Sequence, residues 1–214
     1  MEMRGLGTGL ALVLVGVAGG YAAADLMRDE PASVAEIRPV PARDPSIPVD
    51  PERPFAPDID YPALRPGLEY EPRTLGDPPF QWAYRVPRGW TASVVSLQEI
   101  RWRPADEPLV GGFALRVKLS NQHKSPAAMV EQKLAEMQGG YDDVEVLDRT
   151  QNLISFSYRD PDNDRLRFNT FRWFGSADDA TTFEMSVAGR EVDRAGLDDL
   201  LEQVARSVAP VPAG

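Results

Sequence analysis

The amino-acid sequence predicts an α+β fold in which an antiparallel sheet of about 6–8 strands packs with two helices. Three observations indicate this fold and the part of the chain that forms it. An uncharged stretch from Gly5 to Ala24 is followed by a region in which proline recurs every few residues. Beyond residue 78, several segments alternate apolar and polar side chains, and two others have the periodicity of amphipathic helices. The chain therefore divides into a membrane anchor or signal sequence at 1–28, a disordered proline-rich linker at 29–77, a globular domain at 78–210 and a tail at 211–214.

The stretch from Gly5 to Ala24 predicts where the rest of the chain lies. As a helix it would be about 30 Å long, which matches the hydrocarbon core of a bilayer. Arg4 and the free amino terminus precede it, which favours a cytoplasmic N-terminus and export of the remainder. We favour a retained anchor, and therefore a single-pass cell-membrane protein with an extracytoplasmic C-terminal domain. The alternative is a signal peptide cleaved near Ala24, which would release a secreted protein.

The composition limits the classes of partner. The 214 residues have a formal net charge of −10 and a sequence pI of about 4.7. This balance argues against nucleic acid or an anionic lipid surface as the main partner, because both require clustered basic residues. Cysteine is absent, which excludes thiol catalysis, disulfides, cysteine metal sites and a lipidated N-terminal cysteine. One folded domain is expected, because the residues beyond the anchor and linker suffice for a single core.

The linker is predicted from its prolines. Proline fixes the backbone φ angle and removes an amide donor, so residues 29–77 favour an extended spacer over a helix or a central strand. Several side chains in it are nevertheless more apolar than a spacer needs, among them Phe55, Leu64, Leu68 and Tyr70. We therefore expect part of 55–75 to lie against the folded domain.

The first half of the domain is predicted to form strands. Residues 81–86, 91–96 and 100–102 alternate in polarity and are separated by turn-forming residues. The clearest pattern runs from Phe113 to Ser120, where every second side chain is apolar. Strands of this kind place one face on a core and the other in water, which is typical of antiparallel sheets.

A helix, four strands and a second helix follow. Ser125 is expected to cap the first helix, Pro126 to occupy its first position and the pair Gly139-Gly140 to end it. Asp193 is expected to cap the closing helix, and Pro210 to end it. Between the helices, alternating segments predict an antiparallel meander. These segments are 144–147, 154–158, 166–174 and 182–187.

This order of elements, together with the stretch Tyr84-Arg-Val-Pro-Arg-Gly-Trp90, resembles the PsbP-like α/β/α sandwich. That family includes actinobacterial envelope proteins of the LpqN type, and the resemblance covers residues 78–210. It implies an accessory or binding role without a shared catalytic constellation. The lipoprotein cysteine is missing here, so any parallel in membrane attachment runs through the N-terminal hydrophobic segment.

No catalytic or metal-binding constellation is recognisable, so we expect neither enzymatic activity nor a cofactor. His123 is the single histidine and lies in a polar loop without a nucleophile motif nearby, which favours a solvated surface residue. Asp160, Asp162 and Asp164 have the opening spacing of a calcium loop. Because Arg165 stands where such a loop needs glycine, a hairpin turn is the favoured interpretation.

Aromatic and guanidinium side chains indicate where a ligand would bind, because their planes recognise sugars, peptides and anions. We single out Trp102, Arg101, Arg103 and Trp173 as candidate ligand-binding residues, although tryptophan is also ordinary core material. The sequence thus predicts a membrane-tethered, extracytoplasmic, non-enzymatic module that binds a protein or ligand of the cell envelope. The alternatives are an envelope hydrolase with a catalytic carboxylate pair and a secreted soluble binding protein.

Overall fold

The strands and helices are those of an antiparallel α+β protein. The computed structural model describes residues 53–108, 110–175 and 180–212, which lie in one compact unit, Glu52–Gly214. The strands in these residues are β1 (Tyr70–Leu75), β2 (Trp82–Pro87), β3 (Trp90–Ser96), β4 (Glu99–Pro104), β5 (Ala114–Leu119), β6 (Asp142–Arg149), β7 (Leu153–Arg159), β8 (Leu166–Gly175), β9 (Thr181–Gly189) and β10 (Ala209–Pro210). The α-helices are α1 (Pro126–Gly140) and α2 (Arg194–Ala205).

The strands form two sheets. A seven-stranded sheet has the order β3-β4-β5-β9-β8-β7-β6, and a three-stranded sheet has the order β1-β2-β10. Neighbouring strands are antiparallel throughout. The predicted fold class and the meander of four strands, β6 to β9, are therefore confirmed.

Each face of the seven-stranded sheet packs against a different layer. Along β9, Phe183 and Met185 lie on one face and Glu184 and Ser186 on the other, because side chains alternate along a strand. The first face is covered by the three-stranded sheet and α2, in a core that includes Trp82, Tyr84, Leu115 and Leu200. On the second face, α1 packs over β7 and β8, in a core that includes Met129, Val130, Ile154 and Phe156. Beyond α1, the second face over β4 and β5 is polar.

The two helices begin in different ways. The Oγ atom of Ser125 accepts a hydrogen bond from the backbone nitrogen of Ala128 at 3.3 Å, and Pro126 is the first residue of α1, as predicted. The prediction for the second helix is wrong in its mechanism. Asp193 directly precedes α2, but its carboxylate makes no capping hydrogen bond to that helix. It binds Arg190 and the backbone of Leu64 instead.

Residues 53–77 differ from the expected linker, because they belong to the folded unit. Strand β1 pairs with β2 in a continuous register from Tyr70 opposite Pro87 to Leu75 opposite Trp82. Leu64 is 6% exposed in the first core. The expectation that part of 55–75 lies against the domain agrees with this arrangement.

The N-terminal anchor or signal sequence and residues 29–52 of the linker lie outside the described residues. Neither α1 nor α2, in the part of the chain that the structure describes, has the length and hydropathy of a membrane span.

Candidate functional site

The structure separates the four candidate ligand-binding residues into two pairs. Trp102 is 5% exposed in the first core, where its Nε1 atom donates a hydrogen bond to the Tyr84 hydroxyl at 3.3 Å. Trp173 is fully buried under α1 and donates from Nε1 to the Glu184 carboxylate at 2.9 Å. Both indole nitrogens are therefore satisfied within the protein, and both rings contribute to packing.

Arg101 and Arg103 alternate with Trp102 along β4 and therefore lie on the second face of the seven-stranded sheet. Two further arginines from neighbouring strands share that face. Arg116 lies on β5 and Arg167 on β8. We call these four residues the arginine face. It collects guanidinium groups in a protein whose net charge is −10.

Two of these guanidinium groups belong to directly opposed residues. The register of β4 and β5 places Arg101 opposite Arg116. Like charges in such cross-strand pairs destabilise a sheet, because the two side chains leave the strands close together. Partial burial, followed by the positive charge of Arg103, lowers the pKa of the Arg101 guanidinium; Glu107 opposes this, and Arg167 and Arg116 add smaller lowering effects. The charge of Arg101 is therefore disfavoured in the fold, and an anion beside it would offset this.

Arg116 already has one carboxylate partner. Its Nε and Nη2 atoms donate to the two oxygens of Glu99, both at 2.7 Å. This fork of hydrogen bonds lowers the pKa of Glu99, although burial opposes it. The pair fixes the position of the Arg116 guanidinium beside Arg101, so the geometry of the site is set before any ligand arrives.

Arg167 has a structural task on the same face. Arg167 is 8% exposed, and its guanidinium donates to the carbonyl oxygens of Gly111, at 2.8 Å, and Gly112. Gly111 has a φ angle of +90°, a conformation that side-chain-bearing residues rarely adopt. Glu107 accepts from the backbone nitrogen of Phe113 in the same loop, and its burial raises the pKa of that carboxyl. Arg167 thus holds the loop beside the site and adds positive charge to it.

A cavity of about 210 Å³ opens between Arg101 and Arg116 on one side and β7 and β8 on the other. Small side chains leave this space free: they are Ala114, Ser186 and Ala188. Asn169 and Tyr158 bring polar groups to the opposite wall. Burial raises the pKa of the Tyr158 phenol to about 12, so the hydroxyl keeps its proton at neutral pH and can donate a hydrogen bond.

A second cavity, of about 130 Å³, continues the site toward α1. Arg116 lines both cavities, and Lys118 and Lys133 join it in the second. The chain has only three lysines, so two of the three lie beside the arginine face. Glu136 and Glu184 also line this cavity and balance part of the charge.

A larger cavity, of about 700 Å³, lies at the other edge of the sheet and is lined mainly by acidic side chains and arginines. Four carboxylates line it, from Asp142, Asp143, Glu145 and Glu191. One of its cations is engaged: Arg159 donates from Nε to Asp143 at 2.6 Å and from Nη2 to the carbonyl of residue 53 at 2.7 Å. Arg159 also lies over the ring of Phe55, 3.9 Å from its centroid. These contacts fasten the incoming chain to the sheet.

The structure also shows where two other features singled out in the sequence lie, His123 and the segment from Asp160 to Asp164. His123 is exposed, with a φ angle of +51°, in the loop before α1. The segment from Asp160 to Asp164 is the predicted hairpin turn between β7 and β8, closed by a hydrogen bond from the Asp164 nitrogen to the Asp160 carbonyl at 2.8 Å. In the described ranges, no group of three or more His, Cys, Asp or Glu side chains is placed to hold a metal ion.

Sequence reasoning found Arg101 and Arg103 but missed Arg116. The available signal was its position on the polar face of the clearest strand, where a charged residue is unremarkable. Only the register of β4 against β5 brings Arg116 opposite Arg101. No protein-family model matches the chain, and no curated protein matches it significantly.

Proposed function

We propose that the protein is a membrane-tethered, extracytoplasmic, non-enzymatic module that binds an anionic component of the cell envelope at the arginine face. The observation that supports this most is the opposition of Arg101 and Arg116 above a cavity floored by small side chains. Planar guanidinium groups bind carboxylates and phosphates through paired hydrogen bonds, so both groups suit the site. The resemblance to the PsbP-like sandwich and its binding modules supports a role of this kind.

The tether is tested by fractionation of the expressed full-length protein and by intact-mass analysis of its N-terminus. The proposal requires the protein to remain in the membrane with residues 1–24 present. A soluble chain that begins near Asp25 would instead support the secreted binding protein.

The ligand class is tested by hydrogen exchange of the full-length protein with inorganic phosphate, with citrate and with sodium chloride at matched ionic strength. Binding at the arginine face should slow exchange in β4 and β5 and leave α2 unchanged. The phosphate and citrate arms separate phosphate-bearing from carboxylate-bearing ligands. Equal protection by sodium chloride would contradict a specific site, since salt only screens charge.

A second candidate function is an envelope hydrolase with a carboxylate pair. It is favoured by the four carboxylates in the cavity of about 700 Å³, since glycoside cleavage uses two carboxyl groups about 5 to 10 Å apart. Turnover of fluorogenic glycosides by the full-length protein, abolished by Glu145→Gln or Glu191→Gln, would support this candidate. Turnover that persists in both variants would exclude the cavity as its active site.

A further inference from the structure

A separate cavity, of about 450 Å³, lies at one end of the sandwich and differs in chemistry from the arginine face. It opens between the three-stranded sheet, at Trp82 and Pro210, and the ends of β5 and β9, at Leu119 and Thr181. We call it the end cavity. None of the described residues that line it has an acidic side chain, a lysine or an arginine, although 26% of the chain's residues are charged.

The walls of the end cavity are mainly apolar, although polar side chains such as Gln98 and His123 also line it, and backbone hydrogen bonds hold them. Phe80 contributes an exposed ring, with 76% of its surface accessible. Trp82 is fixed behind it by stacking on Phe183, with ring centroids 5.5 Å apart. The backbone of Ser120 donates to the Thr182 carbonyl at 3.0 Å, which joins β5 to β9 at the cavity wall. The cavity is therefore formed before a ligand enters, as most small-molecule sites are.

Three of the residues that line the end cavity carry unpartnered hydroxyl groups. The side-chain oxygens of Ser120, Thr181 and Thr182 are buried without a hydrogen-bond partner in the part of the chain that the structure describes. Thr181 is 1% exposed, so water does not compensate for the missing partner. A buried hydroxyl without a partner is unfavourable, so the Thr181 hydroxyl at this cavity indicates a group that supplies the missing hydrogen bond.

We propose that the end cavity binds an uncharged, mainly apolar small molecule that carries one hydrogen-bonding group. Phe80 and Trp82 contact the apolar body, and the Thr181 hydroxyl binds the polar group. An uncharged ligand suits the cavity better than an ionic one, because the described lining residues include no Asp, Glu, Lys or Arg and one histidine, His123. This site lies on the side of the three-stranded sheet and does not depend on the arginine face.

Benzophenone is a suitable probe, because it is uncharged, apolar, carries one carbonyl acceptor and forms photo-crosslinks to nearby C–H bonds. The full-length protein is irradiated with benzophenone, and labelled peptides are mapped by mass spectrometry. Labelling is expected to be saturable and confined to peptides that contain residues 79–82 and 119–123. Diphenylmethane has a similar shape but lacks the carbonyl. It should therefore reduce labelling by benzophenone at least several-fold less effectively than a ketone of similar size that does not form crosslinks.

Variants separate this site from general adhesion. Phe80→Asp should reduce labelling at least tenfold, whereas Val192→Asp, at another exposed apolar residue, should leave it unchanged. Thr181→Val keeps the shape of the side chain and should abolish the preference for the ketone over diphenylmethane. This second test remains valid even where the Phe80→Asp variant fails to fold. Labelling spread over exposed residues such as Leu97, unaffected by these variants, would overturn the proposal.

Discussion

Arg190 and Asp193 form an ion pair that is almost completely buried, with exposed fractions of 1% and 0%. The Arg190 Nε and Nη2 atoms donate to the two Asp193 oxygens, both at 2.8 Å. The pair also binds the segment before β1: Arg190 donates to the Tyr61 carbonyl at 2.8 Å, and Asp193 accepts from the Leu64 nitrogen at 2.9 Å. It therefore fastens the proline-rich segment to the start of α2.

The first prediction concerns loss of this pair. Asp193→Asn leaves the buried Arg190 guanidinium without its counter-charge, which should lower the free energy of unfolding by about 3–5 kcal/mol. Denaturant titration at pH 7 measures it. Glu202→Gln is the matched control, because it removes an exposed partner of Arg206 and a longer contact to Arg172, and should cost at most about 0.5 kcal/mol. Equal effects of the two variants would contradict the assigned role.

The same pair predicts an acid dependence. Burial raises the pKa of Asp193, but hydrogen bonds from Arg190 and from the backbone of Leu64 outweigh it and hold the pKa below the usual 3.8. A depressed folded-state pKa stabilises the protein above the unfolded-state value and ceases to do so as pH falls through the folded-state value. The stability difference between wild type and Asp193→Asn should therefore narrow when denaturation is measured below about pH 3.8. A constant difference at every pH would show that Asp193 is not ionised in the fold.

A second prediction concerns the close approach of α2 to the segment before β1. A Cβ atom on Gly196 would lie 2.6 Å from the Leu64 carbonyl carbon, which is backbone and cannot rotate away. Alanine favours helix over glycine by about 1 kcal/mol, but this contact should reverse the sign and destabilise Gly196→Ala. Limited proteolysis should show earlier cleavage between 53 and 68. At Gly139, where no atom lies within 4 Å of a Cβ, alanine should be neutral or stabilising.

How much of the fold the sequence predicts depends on how far apart in the chain the interacting residues lie. The alternation of Phe113 to Leu119 and the cap at Ser125 are local, and both were predicted from the sequence. Strand β1 was missed because it contains Pro72, which is typical of the linker, and because its burial is irregular. Asp193 has the sequence signature of a cap, but tertiary hydrogen bonds from Arg190 take its carboxylate.

The arginine face was also only partly predictable from the sequence, for the same reason. Composition and alternation placed Arg101 and Arg103 on one strand face, but the opposition of Arg101 and Arg116 depends on strand register. A register is set by packing across the whole sheet and is not encoded in either strand alone. The two tryptophans were grouped with the arginines because the sequence does not show which strand face lies under a helix.

A third prediction concerns Tyr158 at the cavity wall. Burial raises the pKa of its phenol to about 12, above the usual 10.0. A raised folded-state pKa stabilises the protein below the unfolded-state value, and this contribution is lost as pH rises from about 10 to 12. The free energy of unfolding should therefore fall less between pH 9 and pH 11 in Tyr158→Phe than in wild type. Denaturant titration at the two pH values measures this difference. Tyr70 has a pKa raised to about 12 as well, so wild-type absorbance should show late-ionising tyrosines.

A fourth prediction is that the arginine face lowers the free energy of unfolding of the protein without a ligand. Arg101→Gln removes the cross-strand repulsion with Arg116 and should raise the free energy of unfolding by about 0.5 kcal/mol. Arg206→Gln, which removes an exposed charge from an ion pair with Glu202, should not raise it. Denaturation in low salt is the measurement, because screening would hide the repulsion. A destabilised Arg101→Gln would show that Arg101 has a structural role instead.

The central claim, anion binding at the arginine face, is tested most directly by calorimetric titration of citrate into the full-length protein at low ionic strength. Wild type and Arg206→Gln should bind with the same affinity and one site per chain, and Arg101→Gln should bind at least tenfold more weakly. Heats that are equal in all three proteins, or absent from wild type with both citrate and inorganic phosphate, would contradict the claim.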